Sequence, residues 1–484
     1  MSEKKRFVVI GAGMSGILAA IKLSEAGQDN LVVYEKAQTI GGTWRENHYP
    51  GLTCDVPAHC YTYSFAPHPD WSAFYAPGPE IQSYFQRVID DYDVRRFIQT
   101  DSEVTHCAWK DGKWEIGLAD GRRDEADIVI AASGVLHHPR YPDIEGLRNF
   151  EGAMFHSARW DDALDPSGKR IGVIGNGSTG VQIVSALAPT ARELVHFQRS
   201  PQWILPVTQF EYTDADRAAF RADPAKVDEI RYGEEYWNGV RRFTSAIVDP
   251  DSPQMKEIEE LCLRNLEEGV RDPELRETLR PNYHAACKRL IYSWNYYDRI
   301  QEHDVVIDTS AIDRVEKRGI HMKSGKFYEL DVIALATGFH ADKFIKPTKV
   351  IGAGGQDLDD FWARRPTAHY AVTLPSFPNF FMLNGPTGPV GNFSLIDIAE
   401  LQWGYIAQLM RPVLQGDASW VAPTREAHAA YEERRVEAAR NTVFGTGCTS
   451  WYLDAEGVPG TWPWSYDAFA DAMSKPNLDE YKFG

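Results

Sequence analysis

The chain has 484 residues, more than one hydrophobic core usually serves, so two or three domains are expected. Hydrophobic residues make up 43% and charged residues 25%, ordinary globular values that exclude a disordered or fibrous protein. A net charge of −18 argues against a nucleic-acid or anionic-membrane surface, and the lack of any run of about 18 apolar residues argues against a spanning helix.

A strand-like run, FVVIG at residues 7–11, starts the chain so early that no signal peptide fits before it, and a cytoplasmic location is expected. The stretch from Lys4 to Lys36 reads as strand, glycine turn, amphipathic helix, strand, the first unit of a doubly wound sheet. Its turn fits GxGxxG with Gly11, Gly13 and Gly16. The first glycine allows the tight turn, the second lets a pyrophosphate approach, and the third packs helix on strand. Free amides and the positive dipole end of the helix favour the anion. A glycine turn without a ligand is the plain alternative. Glu35, nineteen residues after Gly16, ends the second strand. A carboxylate there accepts ribose hydroxyls and repels a 2'-phosphate, which suits FAD or NAD, whereas a solvated strand end is the structural alternative.

Residues 127–134 (DIVIAASG) read as a further strand closing on glycine, and a second copy of the nucleotide unit runs from Lys169 to Ser200. Its turn holds Gly175, Gly177 and Gly180 with Ser178 and Thr179 between them. Arg199 stands nineteen residues after Gly180, with Ser200 beside it. A guanidinium and a hydroxyl offer charge-assisted hydrogen bonds to a 2'-phosphate, worth roughly 1.5 to 3 kcal/mol, so this site is expected to prefer NADPH over NADH. A surface ion pair is the alternative for Arg199.

Residues 208–281 are charged and rich in helix formers at amphipathic spacing, and are expected to form a helical insertion. Lys288 and Arg289 taken alone fit a solvated basic pair, and Asp55 fits a turn residue after Pro50 and Gly51. Residues 331–338 (DVIALATG) match 127–134, so the architecture is duplicated. Residues 384–396 read as a glycine and proline turn entering a helix, and 397–440 as helical. The last forty residues, with Trp451, Trp462 and Trp464, read as loops packed over a site. Six scattered cysteines without a CxxC pair read as reduced thiols, and no metal is expected.

Two dinucleotide sites in one chain imply electron flow from NADPH to a flavin, a plan that reductases and monooxygenases share. Phe150, Gly152, His156 and Trp160, followed by Asp161, fit FxGxxxHxxxW, although His156 and Trp160 by themselves also fit a packed pair on a helical turn. With GGTWRENHYPGLTCD at 41–55, CKRLIYSWNYYD at 287–298 and LATGF at 335–339, the chain resembles the type I Baeyer-Villiger monooxygenases, class B flavoprotein monooxygenases, over nearly its whole length. The resemblance implies an α/β fold with two Rossmann-like domains. An FAD domain would span 1–148 and 326–484, an NADP domain 149–207 and 282–325, with the helical insertion at 208–281.

It also implies that NADPH reduces FAD and that a flavin C4a-peroxide inserts one oxygen atom of O2 into a ketone, giving an ester or lactone. Arg289 matches the family's active-site arginine and Asp55 the carboxylate paired with it. Lys288 matches a 2'-phosphate contact beside Arg199 and Ser200, and His156 and Trp160 belong to a linker that senses NADP. Gly42, Thr43, Trp44, Asp55 and Tyr61 would surround the FAD ring and phosphates, with Val104 near the adenine and Leu395 at the isoalloxazine edge. Thr53 departs from relatives that carry an arginine there. A flavin monooxygenase acting on nitrogen or sulfur is the alternative, and Arg289 with Asp55 argues against it.

Overall fold

Phe7–Ile10 is apolar at every position because both faces of its sheet are covered. In a computed structural model of the chain, described over residues 4–391 and 393–484, the period-two geometry of the strand sends Phe7 and Val9 into one core and Val8 and Ile10 into another. The strand is central in a parallel sheet ordered Phe380–Met382, Ile128–Ala131, Phe7–Ile10, Leu31–Tyr34, Ile98–Gln99. Helix Met14–Glu25 follows the glycine turn. Beside this lobe lies a four-stranded sheet containing Val104–Lys110, whose first residue is buried.

The second lobe repeats the plan. Its parallel sheet is ordered Val305–Asp308, Glu193–Phe197, Arg170–Ile174, Val332–Leu335, Ala153–His156. Ile171 and Val173 enter one core and Ile174 the opposite one. In both sheets the strand before the glycine turn is flanked by the next strand and by a strand that returns from far along the sequence. For the second lobe that returning strand is Val332–Leu335, so the expected boundary at residues 325 and 326 needs correction: the second sheet keeps the chain through Leu335. Repetition of strand and glycine at 127–134 and 331–338 signalled the equivalence, whereas sheet membership depends on the pairing partner.

Residues 208–281 contain five helices, Asp214–Ala222, Ala225–Tyr232, Glu234–Val248, Pro253–Gly269 and Pro273–Thr278. Ile204–Pro206 and Ile291–Ser293 pair in parallel across the neck of this insertion, which brings Lys288 and Arg289 to its exit. Arg231 on the second of these helices donates to Asp397 at 2.8 Å, fastening the insertion to the first turn of helix Leu395–Gln415.

Two expectations about the tail and the cysteines change. The last forty residues are not loops alone: Tyr466–Ser474 is a helix, and Tyr481–Phe483 pairs antiparallel with Val421–Pro423. Cys287 and Cys448, 161 residues apart in sequence, form a disulfide, while Cys54, Cys60, Cys107 and Cys262 are buried free thiols. The absence of CxxC excludes a local dithiol but carries no information about a pair assembled by tertiary packing. No described helix is long and apolar enough to cross a membrane.

Candidate active site

The glycine turns are alike in backbone. Gly11 has φ +101° and Gly175 φ +107°, conformations that disfavour a side chain. A Cβ on Gly16 would overlap the Gly11 carbonyl oxygen, and one on Gly180 would overlap that of Gly175. The third glycine in each turn therefore lets the helix sit directly on its strand.

At the first strand end the buried Glu35 carboxylate accepts from the Ala12 N–H at 2.8 Å, the Ala37 N–H at 2.9 Å and Arg45 at 3.0 Å. The Ser102 N–H donates to the Glu35 carbonyl at 2.9 Å, linking this end to the segment before Val104. Gly42 approaches Gly13 so closely that a Cβ on Gly42 would lie 2.9 Å from the Gly13 Cα, forming a side-chain-free cradle between the turn and helix Thr43–Glu46. The Trp44 indole donates to the Tyr61 hydroxyl at 3.2 Å. This cradle, beside an acidic strand end, fits a dinucleotide with unmodified ribose hydroxyls.

At the second strand end three groups meet. Lys288 donates to the Ser200 hydroxyl at 2.8 Å and lies over the Tyr283 ring at 4.3 Å. Burial and then the charge of Arg199 hold the Lys288 pKa below the ordinary lysine range. Arg199 is exposed, and among the described residues no carboxylate pairs with either cation. Asn176, inside the glycine turn, donates to the Gln198 side chain and the Ser200 carbonyl, both at 2.7 Å, and so ties the turn to the strand end; residue spacing gave no sign of this. The buried Ser178 hydroxyl, at the start of helix Ser178–Leu187 and next to Thr179, has no partner among the described residues. Clustered cations and an orphaned hydroxyl at a helix N-terminus fit the phosphates of NADPH.

The lobes touch through Tyr49 and Thr53. Gln182 accepts from the Tyr49 hydroxyl at 2.8 Å and donates to the Thr53 carbonyl and hydroxyl, both at 3.1 Å. Thr53, the departure noted in the sequence, is thus engaged by the second lobe.

Near this junction Arg289 donates to Asp55 at 2.6 Å and to the Gly391 carbonyl at 3.3 Å. Burial alone would lower the pKa of Arg289, but the charge of Asp55 carries it upward, so the cation is permanent. Gly391 belongs to the 384–396 segment, which places the pair beside the expected flavin edge; Leu395 begins the helix that follows. The sequence did not indicate Gly391 as a partner of Arg289.

His156 and Trp160 do not form a helical pair. His156 ends a strand, and the 3-10 turn at Ser157–Arg159 intervenes before Trp160. The His156 Nδ1 accepts from the Ala158 N–H at 3.1 Å and its Nε2 bonds the Gly338 carbonyl at 3.0 Å, fixing a neutral tautomer whose pKa burial lowers. Trp160 packs on Phe155 with ring centroids 4.5 Å apart. The fingerprint thus covers the edge strand Ala153–His156 of the second sheet, and His156 bonds Gly338, which follows the returning strand Val332–Leu335.

A glycine turn with an acidic strand end, joined to a second turn with a basic strand end, defines a two-dinucleotide oxidoreductase. The flavin-binding monooxygenase-like family matches residues 4–213. An uncharacterized monooxygenase of Mycobacterium tuberculosis is 42% identical over 473 residues, 98% of this chain and 95% of that protein. A Baeyer-Villiger monooxygenase of Streptomyces coelicolor is 36% identical over 485 residues, covering 99% and 93%. The crystal structure of cyclohexanone monooxygenase from Rhodococcus sp. Phi1 bound to NADP+ matches with a TM-score of 0.87 and 28% identity, over 99% of both chains. An oxidized steroid monooxygenase bound to NADP gives a TM-score of 0.87 and 27% identity, also over 99% of both. The chain belongs to the Baeyer-Villiger monooxygenases, and is an FAD- and NADPH-dependent flavoprotein monooxygenase.

Proposed function

We propose that this chain oxygenates a small-molecule ketone at Arg289, with FAD in the first lobe and the NADPH 2'-phosphate held by Arg199, Ser200 and Lys288. The 2.6 Å ion pair between Arg289 and Asp55, beside the Gly391 carbonyl, carries this reading. Bound FAD supplies the oxygen-activating redox chemistry, and NADPH supplies the hydride.

The protein contributes charge and position. Arg289 keeps a fixed positive charge where negative charge develops on the carbonyl oxygen of the ketone, and such preorganised donors are worth most away from water. Asp55 orients the guanidinium and offsets the cost of burying it, yet leaves N–H groups for substrate. Tail residues help exclude water: Tyr452 is 5% exposed, and the Trp462 N–H donates to the Gly388 carbonyl at 3.1 Å. Glu35 would receive FAD ribose hydroxyls, and the Gly13–Gly42 cradle the pyrophosphate.

A panel of ketones assayed beside a sulfide and an amine, with products identified, tests the reaction. Esters or lactones are expected from the ketones, and an amine oxide as sole product would overturn the reading. In Arg289→Ala, NADPH should still bleach the flavin under anaerobic conditions while ester formation falls by about a hundredfold or more. Ester formation at the wild-type rate would remove Arg289 from the mechanism.

A further inference from the structure

The two acceptors of Arg289 lie on stretches of chain that a second arginine binds together. Asp55 is followed seven residues later by Thr62, and Gly391 is followed six residues later by Asp397. Arg231, on the insertion helix Ala225–Tyr232, is buried between them. Its Nη1 donates to the Thr62 carbonyl and to the Thr62 hydroxyl, both at 2.7 Å, and its Nη2 donates to Asp397 at 2.8 Å. Its Nε donates to the Tyr232 hydroxyl at 3.2 Å. Each side has a second fastening to the insertion. The Cys60 thiol donates to the Ile230 carbonyl at 3.7 Å, and the Ser394 N–H donates to the Tyr236 hydroxyl at 3.3 Å. A Cβ on Gly391 would lie 2.6 Å from the Phe243 ring, so insertion helix Glu234–Val248 also packs on that glycine.

We propose that Arg231 is a positioning residue for Arg289: by holding Thr62 and Asp397 in one arrangement, it sets how the Asp55 carboxylate and the Gly391 carbonyl stand to each other and so aims the Arg289 guanidinium. The proposal rests on Arg289 being the oxygenation cation.

A guanidinium suits this task. Its N–H groups diverge in one plane, so one side chain reaches a carbonyl, a hydroxyl and a carboxylate on different elements, whereas an ammonium is a point charge on a flexible stem. A buried ion pair contributes little net stability, because desolvation offsets its attraction; what it supplies is a fixed arrangement of the elements it joins. The insertion therefore acts on the site twice. Its neck carries Arg289, and its second helix holds the stretches that carry the acceptors. A catalytic group displaced by about 1 Å can lose about a hundredfold in rate, so partial relaxation of this clamp should cost about tenfold.

The test separates position from stability. Arg231→Met combined with Asp397→Leu replaces the pair by apolar side chains, a change that is often neutral for stability, and the FAD-loaded variant should melt within a few degrees of wild type. Anaerobic flavin reduction by NADPH should stay within about twofold, while ketone-dependent ester formation falls about tenfold and hydrogen peroxide release per NADPH rises. In the same FAD-loaded protein, amide hydrogen exchange of Thr62 and Gly391 should speed up by about tenfold, a readout independent of turnover. A stable double variant with wild-type coupling or wild-type exchange at both positions would overturn the inference. If the double variant does not fold, Asp397→Asn serves instead: it keeps the shape and the Thr62 contacts, and should lower the ester-to-peroxide ratio by about threefold. An unchanged ratio there overturns the inference as well. Arg289→Ala distinguishes the two levels: if it makes no ester while the double variant couples normally, only the Arg231 inference fails, whereas ester formation at the wild-type rate in Arg289→Ala defeats both.

Discussion

The two nucleotide lobes share a turn and differ at the strand end that follows it. Gly11 and Gly175 adopt nearly the same left-handed backbone, and Gly16 and Gly180 press against the same carbonyl in their turns. Nineteen residues further on, one lobe buries a carboxylate fastened by two backbone N–H groups and Arg45, and the other exposes Arg199 next to Ser200 and Lys288. The turn suits a pyrophosphate, which every dinucleotide carries. In the proposed reading, discrimination falls to the strand end, where the ribose differs, and there a preorganised acid and a cluster of cations would make opposite choices.

The most severe way to break this contrast is at the turns. Gly16→Ala drives a methyl group into the Gly11 carbonyl and should yield colourless protein without FAD, whereas Gly180→Ala should retain FAD and lose about a hundredfold or more in NADPH-driven flavin reduction. If either variant lost both cofactors, the lobes would not be independent binding units. Next in size is Arg199→Ala, for which the ratio of kcat/KM for NADPH over NADH should fall about tenfold to a hundredfold with FAD content unchanged. A preference that survived would detach the 2'-phosphate from this strand end. Glu35→Gln presents an amide to the Ala12 and Ala37 N–H groups that the carboxylate now accepts, and should weaken FAD retention in equilibrium dialysis by about tenfold without altering the nicotinamide preference.

The smallest effect concerns pH. If Lys288 holds the phosphate as proposed, its protonated form favours binding, and since its pKa is lowered by burial and by Arg199, KM for NADPH should rise as pH climbs through that lowered value. Lys288→Met should bind NADPH more weakly and flatten the rise to within about threefold over the same range. An equally steep rise in the variant would assign the titration to another group.

Much of this plan was legible in the sequence because a strand, turn, helix and strand form a local unit. Gly11 to Glu35 and Gly175 to Arg199 each lie within one such unit, where steric demands and fixed spacing leave a readable pattern. Lys288 near Ser200, and Asp55 near Arg289, came from family resemblance, since no periodicity connects them. The boundary at 325 and 326 fell short because a buried strand carries no mark of which sheet it joins. The cysteines misled for a related reason: spacing reports neighbours in sequence, whereas Cys287 meets Cys448 through the folded tail.

Glycine sterics and the charge at each strand end, both short-range properties, are what the sequence by itself determined: two glycine turns followed by strand ends of opposite charge. What surrounds Arg289 was left to the tertiary structure, beyond the pairing with Asp55 that the resemblance implied. Asp55 lies 234 residues from it, and Gly391 arrives from a further stretch of chain. Contacts of that range follow from sheet order, the closure of the insertion neck and the return of the tail, and no local pattern of residues encodes them.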